Sequence, residues 1–243
     1  MRPSCLVVEH QNRLVQVFCD WLVETLRDSI EQRGMASVAL PGGSVAEALW
    51  PSLAKISVDW SKVHVFWGDE RSVPPDSAES NYALAKRLLL GPAEIPDAMV
   101  HRMPAEREPM SNAVQEYSAV LVRELGDPPA IDVVILGLGP DGHVCSLFPN
   151  HAALTDPGWV TSVSDAPKPP PRRITLTLGT LACARHVALV ALGSTKSAIV
   201  RRVLEDDPTH TLPATRALAD AAHSLVFLDL EAASSLVNPR QDA

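Results

Sequence analysis

The residues best suited to chemistry lie together in the segment Leu136–His151, LGLGPDGHVCSLFPNH. Gly137, Gly139 and Gly142 form a G-x-G-x-x-G run, and His143 stands two residues after Asp141. An imidazole titrates near neutral pH, so His143 can take a proton from water and return it to a leaving group. Asp141 can orient that ring or hold a substrate hydroxyl. Gly139 and Gly142 can shape the loop or aim backbone N–H groups at a developing oxyanion. As a dinucleotide fingerprint the run is misplaced. It falls past the midpoint of the chain, and Pro149 comes only seven residues after Gly142, where a long helix should open. Asp141, His143 and His151 match no zinc spacing, so neither metal nor cofactor is expected. A G-x-S-x-G nucleophile elbow is absent, and Cys145 reads as a small packing residue.

Four further segments can serve an anion. Gly42-Gly43-Ser44 joins a strand to a helix, where backbone N–H groups and the positive helix end meet; Ser44 is expected to cap that helix. Trp67-Gly68-Asp69-Glu70-Arg71 offers Arg71 as a planar, paired donor held by the neighbouring carboxylates, with Asn81 as the cap of the next helix. Lys168-Pro169-Pro170-Pro171-Arg172-Arg173 is a cationic loop stiffened by proline. Gly193-Ser194-Thr195-Lys196 can bring Lys196 to the sheet edge, although it lacks the spacing of a P-loop. Each segment alone also reads as an ordinary turn, cap or solvated loop.

Apolar strand patterns alternate with helical ones and must position these groups. Strands are expected near Cys5–Val8, Ala36–Leu40, Val63–Trp67, Met99–Arg102, Ile131–Leu136, Thr161–Val163, Arg173–Leu178, Val187–Leu192 and Ser224–Asp229. Helices are expected over Arg13–Glu31, closed by Gly34, and over Val45–Ile56, kinked or divided at Pro51. Further helices are expected over Ser80–Leu90, Met110–Leu125 and Thr195–Glu205. The alternation predicts an α/β fold: one doubly wound domain over residues 1–243, with a mostly parallel sheet and helices on both faces. The formal charge of −8 and the lack of a basic block argue against nucleic acid. No apolar run is long enough for a membrane span, and the N-terminus lacks a signal-peptide pattern, so a cytoplasmic location is expected. Scattered Cys5, Cys19, Cys145 and Cys183 are expected to be reduced thiols.

Taken in order, these segments resemble the 6-phosphogluconolactonase family over nearly the whole chain. The resemblance rests on Leu40-Pro41-Gly42-Gly43-Ser44, Trp67–Arg71 with Ser80-Asn81-Tyr82, and Gly137–His143 with Ser146–Pro149. Lys168-Pro169-Pro170 leading to Arg173-Ile174-Thr175, and Gly193 with Lys196, complete it. Val144-Cys145 departs from the usual Thr-Ala. The resemblance implies the fold of the glucosamine-6-phosphate deaminases. It implies a cytoplasmic, cofactor-free hydrolase of 6-phospho-D-glucono-1,5-lactone in the pentose phosphate pathway, expected to act as a monomer. His143 and Asp141 would carry the chemistry. Gly42, Gly43, Ser44, Arg71, Lys168, Arg173 and Lys196 would bind the phosphosugar. The deaminases themselves carry Asp-Glu-Tyr where this chain has Asp69-Glu70-Arg71, and a catalytic glutamate where Ser146–Asn150 has no carboxylate. A non-catalytic phosphosugar binder would have no use for the Asp141/His143 pair.

Overall fold

The computed structural model describes residues 3–207, 209 and 211–237. Its strands are β1 (Ser4–Val8), β2 (Ala36–Leu40), β3 (Val63–Trp67), β4 (Asp69–Arg71), β5 (Val133–Gly137), β6 (Val160–Val163), β7 (Arg173–Leu176), β8 (His186–Ala191) and β9 (His223–Asp229). Its α-helices are α1 (Gln11–Arg33), α2 (Gly43–Leu53), α3 (Asn81–Ala85), α4 (Met110–Leu125), α5 (Leu178–Cys183), α6 (Ser197–Leu204), α7 (Pro213–Asp220) and α8 (Leu230–Ala233). Six strands form a parallel sheet in the order β1-β9-β8-β5-β2-β3.

Strands β2, β5 and β8 are buried almost end to end, as their unbroken apolar runs require, so both faces of the sheet are covered. On one side α1 and α2 pack on each other and on the sheet; α5, α6 and α7 form another group over β8 and β9. Helix α1 buries Leu14, Phe18, Leu22 and Leu26 at four-residue spacing. Each such side chain contributes about 1.5–3 kcal/mol on burial. Gly34, at φ 81°, ends the helix and donates its N–H to Ile30 O at 2.8 Å.

Strands β4, β7 and β6 leave this sheet and form a second, antiparallel one. The short proline-rich link between β6 and β7 cannot make the crossover that parallel pairing needs. Other expectations are corrected locally. Met99–Arg102 contributes a single bridge, Val100 to Val65, rather than a strand. Ser80–Leu90 divides into α3 and a π turn over Lys86–Leu90. Thr195–Glu205 opens with a 3-10 turn before α6. Helix α2 continues through Pro51, and α7 was not anticipated.

Strand β3 lies outside β2, whereas β8 and β9 lie beyond β5. The chain therefore reverses direction between β2 and β5. Loops leaving their carboxyl ends diverge there and open a crevice.

Candidate active site

A cavity of about 250 Å³ occupies that crevice, lined from both sheets. The β2–α2 turn supplies Gly42, Gly43 and Ser44; the loop after β5 supplies Gly139 and His143. Gly43 has φ 67°, the left-handed region that favours glycine. A Cβ on Gly42 would overlap the Asn81 amide, so this position also needs its missing side chain. Ser44 does not cap α2: Gly42 holds the cap position, and Ser44 sits one residue inside the helix with its side chain exposed beside the cavity. The first amides of α2 have no intrahelical acceptors.

His143 is set by its own loop. Its Nδ1 lies 2.5 Å from Asp141 Oδ1, and its backbone N–H donates to the same oxygen at 3.3 Å. Burial pushes the Asp141 carboxyl up, but the His143 ring and its hydrogen bonds outweigh this and hold it below the usual range. An ionised carboxylate only accepts, so Nδ1 carries a proton; in the neutral ring that leaves the lone pair on Nε2, facing away from Asp141. One face of the ring lies against Gly139, where any Cβ would overlap it. Phe148 packs on the ring with centroids 4.6 Å apart. Asp141 does not line the cavity and stands behind the histidine.

Of the two expected roles for Gly139 and Gly142, the hydrogen bonds match the shaping of the loop. Gly139 donates its N–H to His143 O at 2.9 Å, and Gly142 donates to Gly139 O at 3.0 Å. Both amides are used in closing the loop. Gly142, at φ 89°, packs under Leu212 away from the cavity.

Four cations border the cavity. Arg71 donates from Nη1 to Glu79 O at 2.5 Å, while its buried Nε has no partner among the described residues. The neighbouring carboxylate does not hold this guanidinium. Glu70 instead accepts the backbone N–H groups of Arg71, Asn81 and Tyr82 and the Ser80 hydroxyl. Burial still outweighs those bonds and raises the Glu70 pKa. Arg173 faces Arg71 across the β4–β7 pair and is buried, donating to Pro170 O at 3.0 Å and Lys168 O at 2.9 Å. Lys196 donates to Leu138 O at 2.6 Å. Burial, and then the Lys168 charge, lower its pKa against the pull of Asp141. Lys168 itself is exposed.

A family model described as glucosamine-6-phosphate isomerases/6-phosphogluconolactonase matches residues 9–227. The chain belongs to this family. It is 40% identical to the 6-phosphogluconolactonase of Mycobacterium tuberculosis over 246 residues, covering 97% of this chain and 99% of that protein. It is 36% identical to a probable chloroplastic 6-phosphogluconolactonase of rice, where the match covers 83% of this chain and 65% of that longer protein. The solved 6-phosphogluconolactonase of Trypanosoma brucei superposes with a TM-score of 0.82 at 30% identity, covering 97% of this chain and 99% of that one. A monomeric glucosamine-6-phosphate deaminase shares the fold at 18% identity, with a TM-score of 0.81 and coverage of 96% and 99%.

In this member of the family, a buried network in the wall of the cavity has no counterpart in the sequence analysis. Asp69 accepts the Ser146 hydroxyl at 2.5 Å and lies 3.9 Å from Arg173. Asn81 donates Nδ2 to Asp69 O at 2.9 Å, and its buried Oδ1, set against Gly42, has no partner among the described residues. Asn81 is therefore not the helix cap; Ser80 is, accepting from the Ala83 N–H at 3.1 Å. The adjacent Ser and Asn both suit a cap, and spacing alone does not separate them. His151 is turned elsewhere, toward Asp165 at 2.8 Å.

Proposed function

We propose that this chain hydrolyses 6-phospho-D-glucono-1,5-lactone to 6-phospho-D-gluconate, the lactonase step of the oxidative pentose phosphate pathway. The observation that carries the reading is the Asp141–His143 pair at a cavity bordered by four cations. Its family membership, and the name carried by the mycobacterial and trypanosomal relatives, support it. The deaminase alternative is disfavoured because Ser146–Asn150 holds no carboxylate beside the histidine.

The phosphate dianion lies at the amino end of α2, where Gly43 and Ser44 offer N–H groups and the helix adds positive potential. Arg71, Lys168, Arg173 and Lys196 supply countercharge. His143 Nε2 takes a proton from water as the water oxygen bonds to the lactone carbonyl carbon. The carbonyl electrons move to oxygen, and the cations of the cavity stabilise that oxyanion, since the amides of Gly139 and Gly142 are committed. When the carbonyl re-forms, the bond to the ring oxygen breaks and His143 returns the proton to that oxygen. Asp141 keeps the ring in the required tautomer and supports the transient imidazolium.

Lactones of this type also open spontaneously, so the test is a rapid coupled assay against a blank without enzyme. The expected result is acceleration with the phosphorylated lactone, no ammonia from glucosamine 6-phosphate and no turnover of NADP. Ammonia release, or a rate equal to the blank, contradicts the proposal.

A further inference from the structure

Three ligand-type side chains meet at the end of β3 remote from the cavity. His64 is the second residue of β3. His101 lies on the segment that joins the same sheet edge, its backbone N–H donating to Val65 O at 2.8 Å. Glu124 stands in the last turn of α4. His64 Nδ1 and His101 Nε2 are 2.8 Å apart, and one ligand atom from each of the three residues lies within 4.8 Å of the others. All three side chains are half-buried, and the lactonase reaction uses none of them.

From these observations we propose that His64, His101 and Glu124 bind a divalent cation of the zinc class, with water completing its coordination. Two imidazole nitrogens and one carboxylate are a ligand set suited to that ion, and three protein ligands leave a fourth position for solvent. In a tetrahedral site with bonds of about 2.0–2.1 Å, neighbouring ligand atoms stand about 3.3 Å apart. The two histidine nitrogens, now 2.8 Å apart, therefore have to separate by about 0.5 Å to become a chelating pair. The rings are already stacked: Phe66 lies on His101 at 4.7 Å, and His64 lies on its imidazole at 5.0 Å. The carboxyl end of α4 adds negative potential.

Arg123 is the built-in competitor. Its Nε donates to Glu124 Oε1 at 2.7 Å, but its side chain is 63% exposed and can turn into solvent. A bound cation takes its place at the carboxylate. The ion then ties the edge strand, the Val100–His101 segment and α4 together and raises thermal stability by mass action, without touching the reaction.

Zinc titration of the full, metal-stripped chain by calorimetry and thermal unfolding tests this. The His64→Gln/His101→Gln double variant is expected to keep lactonase activity and to lose at least about tenfold in zinc affinity at one site per chain. Arg123→Ala is expected to bind zinc several-fold more tightly. Equal affinity in the wild type and an active double variant overturns the proposal. Should the double variant fail to fold, Glu124→Gln and Arg123→Ala decide: weaker and tighter binding support the site, and no change in either refutes it. Activity of the wild type reports separately on the lactonase reading.

Discussion

The cavity has two ends built on opposite plans. Around His143 the groups already have partners: Nδ1 meets Asp141, the ring lies between Gly139 and Phe148, and both glycine amides close the loop. Elsewhere along the cavity, Arg71 Nε and Asn81 Oδ1 are buried without partners among the described residues, and Ser44 and Lys168 are exposed. A buried polar group without a partner costs about 1–3 kcal/mol, a cost that an anion at Arg71 Nε would remove. The difference teaches a division of labour. Under the proposed reaction, the end that moves the proton is fixed before substrate arrives, and the end that binds the anion is completed by the substrate.

This contrast can be broken first at Gly139. Gly139→Ala places a methyl group where the imidazole lies and must displace the ring. The expected loss in kcat is about 10²- to 10⁴-fold, that of removing the acid–base group itself, with KM little changed. Steady-state kinetics on the folded variant check it, and a small effect would mean the ring position is not fixed by its loop. At the other end, Arg71→Ala is expected to lower kcat/KM by about 10- to 100-fold, mostly through KM, from the loss of charge-assisted bonds. The same variant should lose its preference for the phosphorylated over the unphosphorylated lactone. A kcat effect alone would move Arg71 from binding into the chemistry.

The smallest effect concerns the support beneath the histidine loop. Asp207 accepts the N–H groups of Thr211 and Leu212 and the Thr211 hydroxyl, and Leu212 packs under Gly142. Burial pushes the Asp207 carboxyl up, but those donors win and bring it down to about 2 from an ordinary 3.8. A native pKa below the unfolded value adds stability that is complete above the unfolded pKa. That stability is lost as pH falls from 3.8 toward about 2. The Tm difference between the wild type and Asp207→Asn should therefore be constant near neutrality and shrink across that acidic window. A difference that persists at pH 2 would assign the effect to packing.

Much of this architecture was legible in the residues. Val63–Trp67 and Met110–Leu125 form the expected strand and helix with the same bounds, because an apolar run and a long helical period leave little ambiguity. The segments that meet at the cavity were legible too, because each follows a strand and carries glycine or charge. The antiparallel sheet was not: β4 is only three residues long, and its partner β7 lies far along the sequence, which leaves no local mark. The fate of a backbone N–H is equally invisible. Gly139 and Gly142 suggest open amides, yet tertiary closure of the loop consumes both. Glu70 looked like a partner for Arg71, but the amino end of α3 draws its carboxylate to the backbone.

The central claim is that His143 moves the proton while other residues hold the phosphosugar. The most direct test is His143→Ala, with kcat from the rapid lactone assay and affinity for 6-phosphogluconate from calorimetry on the same sample. The account predicts a kcat lower by about 10²- to 10⁴-fold and an affinity within a few-fold of the wild type. An unchanged kcat, or a loss of affinity that accounts for the whole decline, would contradict it.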